Sequence, residues 1–466
     1  MMSKEKNLPA SGTDSPDVGS DTLDELLREM FLRKEMALLA ALSDIDLEQL
    51  SEAGEIPSAA GTTIPAARRM ELPTLNESAE TIADPGSVFY GEGAKEDFHS
   101  TIGNVDNFEK QGSVTFRGEY RKATELGRGG QGVVYRIEGE DEFSAAFALK
   151  VFLPRAYENL ADFSADMTRM QRVASLIHHQ PHDDLVDIGW FGQRDGVYTM
   201  LMQYIDGFDL RHLLQPELMQ HLKQCVDGDR WRTINNVVYS VNGSRQLALQ
   251  PAIAVYIIER VLRGVEALHS RGIVHGDIKP SNIMLNASGS VKIIDIGSAF
   301  EITSPPKDHY VTPAYAAPEF LETGAMSKQS DLASVGYVLI ELLSGKSITD
   351  EVRDPDESTR TIGGPRRMEL FEAKNSLPDR LTNILPWNIL ESNHLVELCR
   401  RLIDPDLNQR FPSAAESIVD RKGTYEFNKD LILSNLGVCN FQEVSQWLAD
   451  VKHATRWARG IPSPPR

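Results

Sequence analysis

The sequence is poor in the features that would place it outside the cell or in a membrane. It has only three cysteines, Cys225, Cys399 and Cys439, widely spaced and in no metal-ligand pattern. That excludes a disulfide scaffold and a zinc ribbon and points to a reducing compartment. No apolar run is long enough to span a bilayer: the most apolar window, Leu332 to Leu343, is short and interrupted by Ser334, Gly336 and Glu341. Residues Met1 to Asp24 lack the basic start and apolar stretch of a secretion signal. Basic charge is scarce too, with 48 Lys and Arg against 68 Asp and Glu and a net charge of −20. This disfavours nucleic acid or an anionic membrane as a partner of the whole chain and favours a basic one. The expectation is a cytoplasmic protein.

What is present is a globular composition, 41% apolar and 25% charged over 466 residues, enough for one large core or two to three domains. Residues 1–20, rich in Ser, Gly, Asp and Pro, read as disordered. From Asp21 onward Leu23, Leu26, Leu27, Met30 and Phe31 recur at near-helical spacing, which predicts a helical segment over 21–50. Residues 51–113 carry Pro57, Pro65, Pro73 and Pro85 without periodicity and read as a linker or extended arm. Acids outnumber bases by about two to one across this N-terminal part. The arm could therefore fold back over a basic substrate groove, although a solvated tether is the simpler reading.

The chemistry is concentrated between Ile273 and Gly297. Ile273-Val274, Ile283-Met284-Leu285 and Ile293-Ile294 read as short buried strands, so Asp277, Lys279, Asn282 and Asp295 are presented from rigid edges. Two carboxylates, an amine and a carboxamide suit phosphoryl transfer. An acid takes the proton of the attacking hydroxyl, a cation steadies the moving group, and hard oxygens hold Mg²⁺. Asp277-x-Lys279-x-x-Asn282 resembles the catalytic loop of eukaryotic-like (Hanks-type) serine/threonine protein kinases, and Asp295-Ile296-Gly297 resembles their magnesium motif. His275-Gly276-Asp277 departs from the family by having glycine where arginine is usual.

The resemblance extends over about residues 114–420. It implies an α+β, bilobal protein kinase fold, with a small lobe (about 114–205) mainly of β-sheet with one helix, and a mainly helical large lobe (about 206–420). A helical or disordered N-terminal extension precedes it, and a helical tail covers 421–466. Leu126-Gly127-Arg128-Gly129-Gly130-Gln131-Gly132 has the Gly-x-Gly-x-x-Gly spacing that lets main-chain amides approach phosphates. It is followed by Val133-Val134-Tyr135, a strand pattern, whereas a dinucleotide fingerprint would open a helix. By resemblance Lys150 pairs with the α- and β-phosphates, Val134 and Ala148 roof the adenine, and Met284 lies beneath it. Main-chain groups at Gln203 and Ile205 bind the base, and Asp209 reaches the ribose.

A second absence lies in the helix after Lys150. The family places a glutamate there to hold that lysine, and between Leu160 and Ile177 there is none; Asp166 is the nearest equivalent, one methylene shorter. Thr312-Pro313-Ala314-Tyr315-Ala316-Ala317-Pro318-Glu319 resembles the substrate-anchoring segment of protein kinases. Glu319 is expected to pair with Arg410, and Asp331 to hydrogen-bond the catalytic-loop backbone. Residues 215–249, with the turn-like Val241-Asn242-Gly243-Ser244, have no family counterpart and suggest a small hairpin.

The resemblance therefore implies an ATP- and Mg²⁺-dependent enzyme, with Mn²⁺ as an alternative ion, that phosphorylates Ser or Thr of a protein substrate and possesses sites for autophosphorylation. The competing readings are a pseudokinase scaffold, suggested by the missing glutamate, and a small-molecule phosphotransferase, opposed by the Thr312–Glu319 segment.

Overall fold

The computed structural model describes residues 113–116, 119–138, 146–194, 196–240, 247–307, 309–347, 365–420, 422–433 and 441–458. The expectations for residues 1–112 and for Val241 to Ser244 lie outside them. Among the described residues, no helix is long and apolar enough to cross a membrane.

Strands β1 (Ser113–Phe116), β2 (Glu119–Arg128), β3 (Gly132–Glu138), β4 (Phe147–Phe152), β5 (Ile188–Arg194) and β6 (Val197–Gln203) form one antiparallel sheet in the order β1-β2-β3-β4-β6-β5. Period-two alternation sorts its faces. Val133, Tyr135, Ile137, Leu149 and Val151 share one buried cluster, while Ala148 belongs to the main core on the opposite face. Lys150, two residues on from Ala148, therefore faces the same way. Helix α1 (Leu160–His179) starts at Asn159, whose side chain accepts from the Asp162 amide. Its buried residues Phe163, Met167, Met170, Val173, Ala174 and Ile177 recur at helical spacing and join the main core.

The large lobe opens with β7 (Gly207–Asp209), α2 (Leu210–Leu213), α3 (Pro216–Cys225) and α4 (Gly228–Val237). The 215–249 stretch thus begins with two helices; the turn on which the expected hairpin rests, Val241 to Ser244, lies outside the described residues. Pro216 occupies the first turn of one, Asp227 caps the other by accepting from the Asp229 and Arg230 amides, and an isolated antiparallel bridge joins Tyr239 to Leu249. Next come α5 (Pro251–His269), β8 (Ile273–Val274), β9 (Ile283–Asn286), β10 (Val291–Ile293), β11 (Phe300–Glu301), α6 (Pro318–Thr323) and α7 (Lys328–Ser344). Strands β10-β9-β7 and β11-β8 make two small antiparallel sheets that fix the ends of the catalytic stretch. Helix α7 is almost wholly buried. A side chain at Gly336 would run into Leu402 and Ile403, so glycine is what allows the close approach of α7 to a later helix.

The chain continues through α8 (Pro365–Asn375), α9 (Leu377–Ile384), α10 (Trp387–Leu390), α11 (Asn393–Ile403), α12 (Ala414–Val419), α13 (Thr424–Leu433) and α14 (Phe441–Ala458). Helix α14 packs on α3, with Trp447 fully buried and edge-on to Tyr239 at 5.5 Å.

Candidate active site

A cavity of about 780 Å³ lies between the sheet and the large-lobe helices. Val134 and Ala148 line it from the sheet, and Met284 from β9. Gly127, Gln203, Ile205 and Asp209 line it along the glycine loop and the connection between lobes. Lys150, Asn282 and Asp295 complete its polar part. The amide of Gln203 donates to the Asp187 carbonyl at 2.8 Å, so that N–H is already committed. Asp209 caps α2, its Oδ1 accepting from the His212 amide at 2.9 Å.

The glycines differ in their reasons. Nothing lies within 4 Å of a Cβ built at Gly127 or Gly129, so that stretch leaves open room above the cavity. A Cβ at Gly132 would collide with the Val151 carbonyl, which makes that glycine a packing requirement of the β3–β4 pair. At the loop tip the Gln131 amide group reaches the Gly297 carbonyl at 3.5 Å.

Lys150, only 5% exposed, donates from Nζ to Asp295 Oδ1 at 2.6 Å. Asp295 adopts φ +60°, the left-handed region that aspartate tolerates better than most side chains. Its Oδ1 also accepts from the Gly297 amide at 2.9 Å. Desolvation in the cleft pushes the Asp295 carboxyl up, but Lys150, with the Gly297 amide and Lys279, more than reverses this and brings it to about 2. With 39% of the side chain open to the cleft, the charge pair governs that value.

The pairing considered for Asp166 is corrected. Asp166 accepts from Arg169 at 2.9 and 3.0 Å and from the Tyr157 hydroxyl at 2.9 Å, not from Lys150. A residue three positions along the same helix face wins the short carboxylate, and Lys150 turns to Asp295 instead. Arg169, 6% exposed, then extends past Asp166 to the Gly297 carbonyl at 2.7 Å and to the Ala299 carbonyl. Sequence reasoning missed this arginine, although its i,i+3 spacing from Asp166 was a usable signal.

On the opposite wall Asp277 is held from three sides. Its Oδ1 accepts from the Thr312 amide at 3.0 Å, and its Oδ2 lies 2.7 Å from Lys279 Nζ and 3.3 Å from Asn282 Nδ2. Lys279 also donates to Thr312 Oγ1 at 2.7 Å, tying the Thr312–Glu319 segment to the loop that carries Asp277. Buried Asp331 accepts from the His275 and Gly276 amides, each at 2.9 Å, and pairs with His269 at 2.8 Å. Burial pushes its carboxyl up, and the His269 contact and the two amides bring it below the usual range. Gly276 sits at φ +78° with an added Cβ 3.1 Å from the Ser298 carbonyl, so glycine is the unstrained choice there.

Glu319 and fully buried Arg410 form a bidentate pair at 2.8 and 2.9 Å. Arg410 also donates to the Asp404 and Gln329 carbonyls. A buried lysine, unexpected from the sequence, completes this wall, its ammonium pushed well below the ordinary lysine range by burial. Lys374 of α8, fully buried, donates to the Ala314 carbonyl at 2.9 Å and the Ala316 carbonyl at 2.5 Å, and lies 4.0 Å from the Tyr337 ring centre. Ser334 donates to the carbonyl between them, that of Tyr315, at 2.7 Å.

The protein kinase domain family matches residues 120–422. The chain is 27% identical to "Probable serine/threonine-protein kinase PknB" of Lactococcus lactis, over 50% of this chain and 32% of that protein. It is 28% identical to "Serine/threonine-protein kinase PrkC" of Bacillus subtilis, over 49% and 31%. It is 33% identical to "Mitogen-activated protein kinase mpkC" of Aspergillus clavatus, over 35% and 48%. The match thus covers about a third of the length of the first two relatives. The family match runs through both lobes that enclose the cleft, and the chain belongs to the protein kinase domain family.

Proposed function

We propose that this chain is an ATP- and Mg²⁺-dependent protein kinase that transfers the γ-phosphate to Ser or Thr hydroxyls of a protein. The observation that carries the reading is the convergence of Lys150, Asn282 and Asp295 on one cavity, with Asp277 a hydrogen bond away from Asn282. Asn282 spends its amide nitrogen on Asp277, which leaves its carbonyl oxygen as a hard donor; Asp295 has a second oxygen beyond the one taken by Lys150. Two such oxygens fit Mg²⁺, which takes few protein ligands and completes its shell with phosphate and water. The ion supplies charge neutralisation at the phosphates.

In this reading the open stretch at Gly127 and Gly129 admits the phosphates and Lys150 binds them. Asp277 accepts the proton of the attacking hydroxyl, and Lys279 steadies the transferred group. The Thr312–Glu319 segment, tied to Lys279 and braced by Arg410 and Lys374, supports a peptide rather than a small metabolite as acceptor. Thr303 and Ser304 are exposed and open to autophosphorylation. With glycine at position 276, a phosphate there lacks the arginine that usually reads it, so it is not the main on-switch.

The test is radiolabel transfer from ATP to a generic basic protein, followed by phosphopeptide mapping. Asp277→Asn is expected to reduce kcat by about 10²- to 10⁴-fold. Nucleotide-dependent melting without transfer by the unmodified chain would favour a scaffold, the reading suggested by the lack of a helix carboxylate on Lys150.

A further inference from the structure

The 215–249 stretch and the C-terminal helix explain each other. Helix α14 lies beyond the family match, which ends at residue 422. Val444, Trp447, Leu448, Val451 and Ala454 form its buried stripe. The insertion supplies the receptor: Tyr239 meets Trp447, and Arg230 of α4 lies 2.6 Å from Glu443 and 2.7 Å from Asp450. A helix anchored at three successive turns has a fixed rotation, and this rotation brings Lys452 and Thr455, an i,i+3 pair, to the cleft.

Lys452 Nζ lies 2.6 Å from Oδ2 of Asp206, the residue directly after Ile205. The two side chains are 45% and 56% exposed, and an ion pair that open contributes little to stability. Its position is more informative than its strength. Lys452, Asp206 and Asp209 all line the cavity, Lys452 tied to Asp206, which lies three residues before Asp209. The ammonium spends one of three donors on Asp206. Asp209 spends one oxygen on its helix cap. An ammonium with spare donors and a carboxylate with a spare oxygen in one cavity are the complement of a vicinal diol.

We propose that Lys452 is a nucleotide-positioning residue, delivered in cis by the docked C-terminal helix, which with Asp209 recognises the ribose hydroxyls. The proposal rests on the cleft being the nucleotide site. The test uses the full chain carrying Lys452→Met, with Asp206→Asn as a second variant that frees the ammonium from its tether. Equilibrium binding of ATP and of 2′,3′-dideoxy-ATP is measured without metal, alongside KM and kcat. The loss of one hydrogen bond predicts a rise in the ATP dissociation constant of about three- to tenfold in Lys452→Met. The preference for ATP over the dideoxy analogue falls towards unity, and the kinetic loss falls on KM rather than kcat. Asp206→Asn shows a smaller loss of the same preference, and the melting temperatures without nucleotide stay together. Equal affinities and equal ribose preference in the unmodified chain and Lys452→Met overturn the proposal. Because binding is read separately from transfer, an unmodified chain that binds ATP but transfers nothing overturns the enzyme reading instead.

Discussion

The two walls of the cleft are held by opposite means. On the large-lobe side, buried polar groups meet complementary partners: Asp331 with two amides and His269, Glu319 with Arg410, the Lys374 amine with the carbonyls of Ala314 and Ala316. On the small-lobe side Lys150 has no carboxylate from helix α1, and the helix is tied to the site by Arg169 donating to the main chain at Gly297 and Ala299. The first arrangement fixes the Asp277–Asn282 loop and the Thr312–Glu319 segment against each other. The second links α1 to the segment that itself carries Asp295, with Lys150 paired to Asp295 rather than to the helix.

The largest effect is expected where a buried charge loses its partner. Arg410→Met leaves the half-buried Glu319 carboxylate without its cation and with only the Ser330 hydroxyl, a change of about 3 kcal/mol in unfolding free energy by urea titration. A loss below about 1 kcal/mol would mean that this wall is not held by its charges. Next in size is Arg169→Met, which strands two carbonyls and frees α1 from the magnesium motif. A misplacement of this kind is expected to lower kcat by about 10²-fold, with ATP affinity nearly retained because Lys150 is untouched. Arg169→Lys should not rescue it, since one ammonium cannot reproduce the planar fork that reaches Asp166 and both carbonyls. If Arg169→Met loses ATP affinity and kcat in parallel, the two walls are not independent and the contrast fails.

The same contrast marks what was legible in the sequence. Gly127, Gly129, Asp277, Asn282 and Asp295 sit in short local patterns, and Glu319 in another, that were legible through their resemblance to the protein kinase family. Arg410 and Asp331 were legible through their neighbours in the same way. The partner of Lys150 was not, because it depends on where a helix packs and on competition from Arg169. Lys374 and Lys452 were invisible for a related reason: each acts across the fold, through contacts 58 to 60 residues and 246 residues away in the chain. In the 215–249 stretch the two helices were overlooked, although Pro216 and Asp227 are both sound helix starts.

Acid titration gives the smallest effect and separates the walls. Asp295 lies at about 2, below the ordinary aspartate value of about 3.9. Between those values the unfolded chain binds more protons than the folded one, so this contribution is complete above the unfolded value and lost as pH falls through the folded one. Removing the ammonium in Lys150→Met takes away the largest force lowering Asp295. The stability difference between the unmodified chain and Lys150→Met is therefore largest near neutral pH and narrows from about pH 5 down to 3. Glu319 and Asp331 are also lowered, the first chiefly by Arg410 against its burial, the second by His269 against its own. Their acid dependence stays in Lys150→Met, because both lie on the other wall. Unfolding curves for the two proteins that run parallel from pH 6 to pH 3 would show that Lys150 does not set the charge of Asp295, and that the small-lobe wall is held by Arg169 alone.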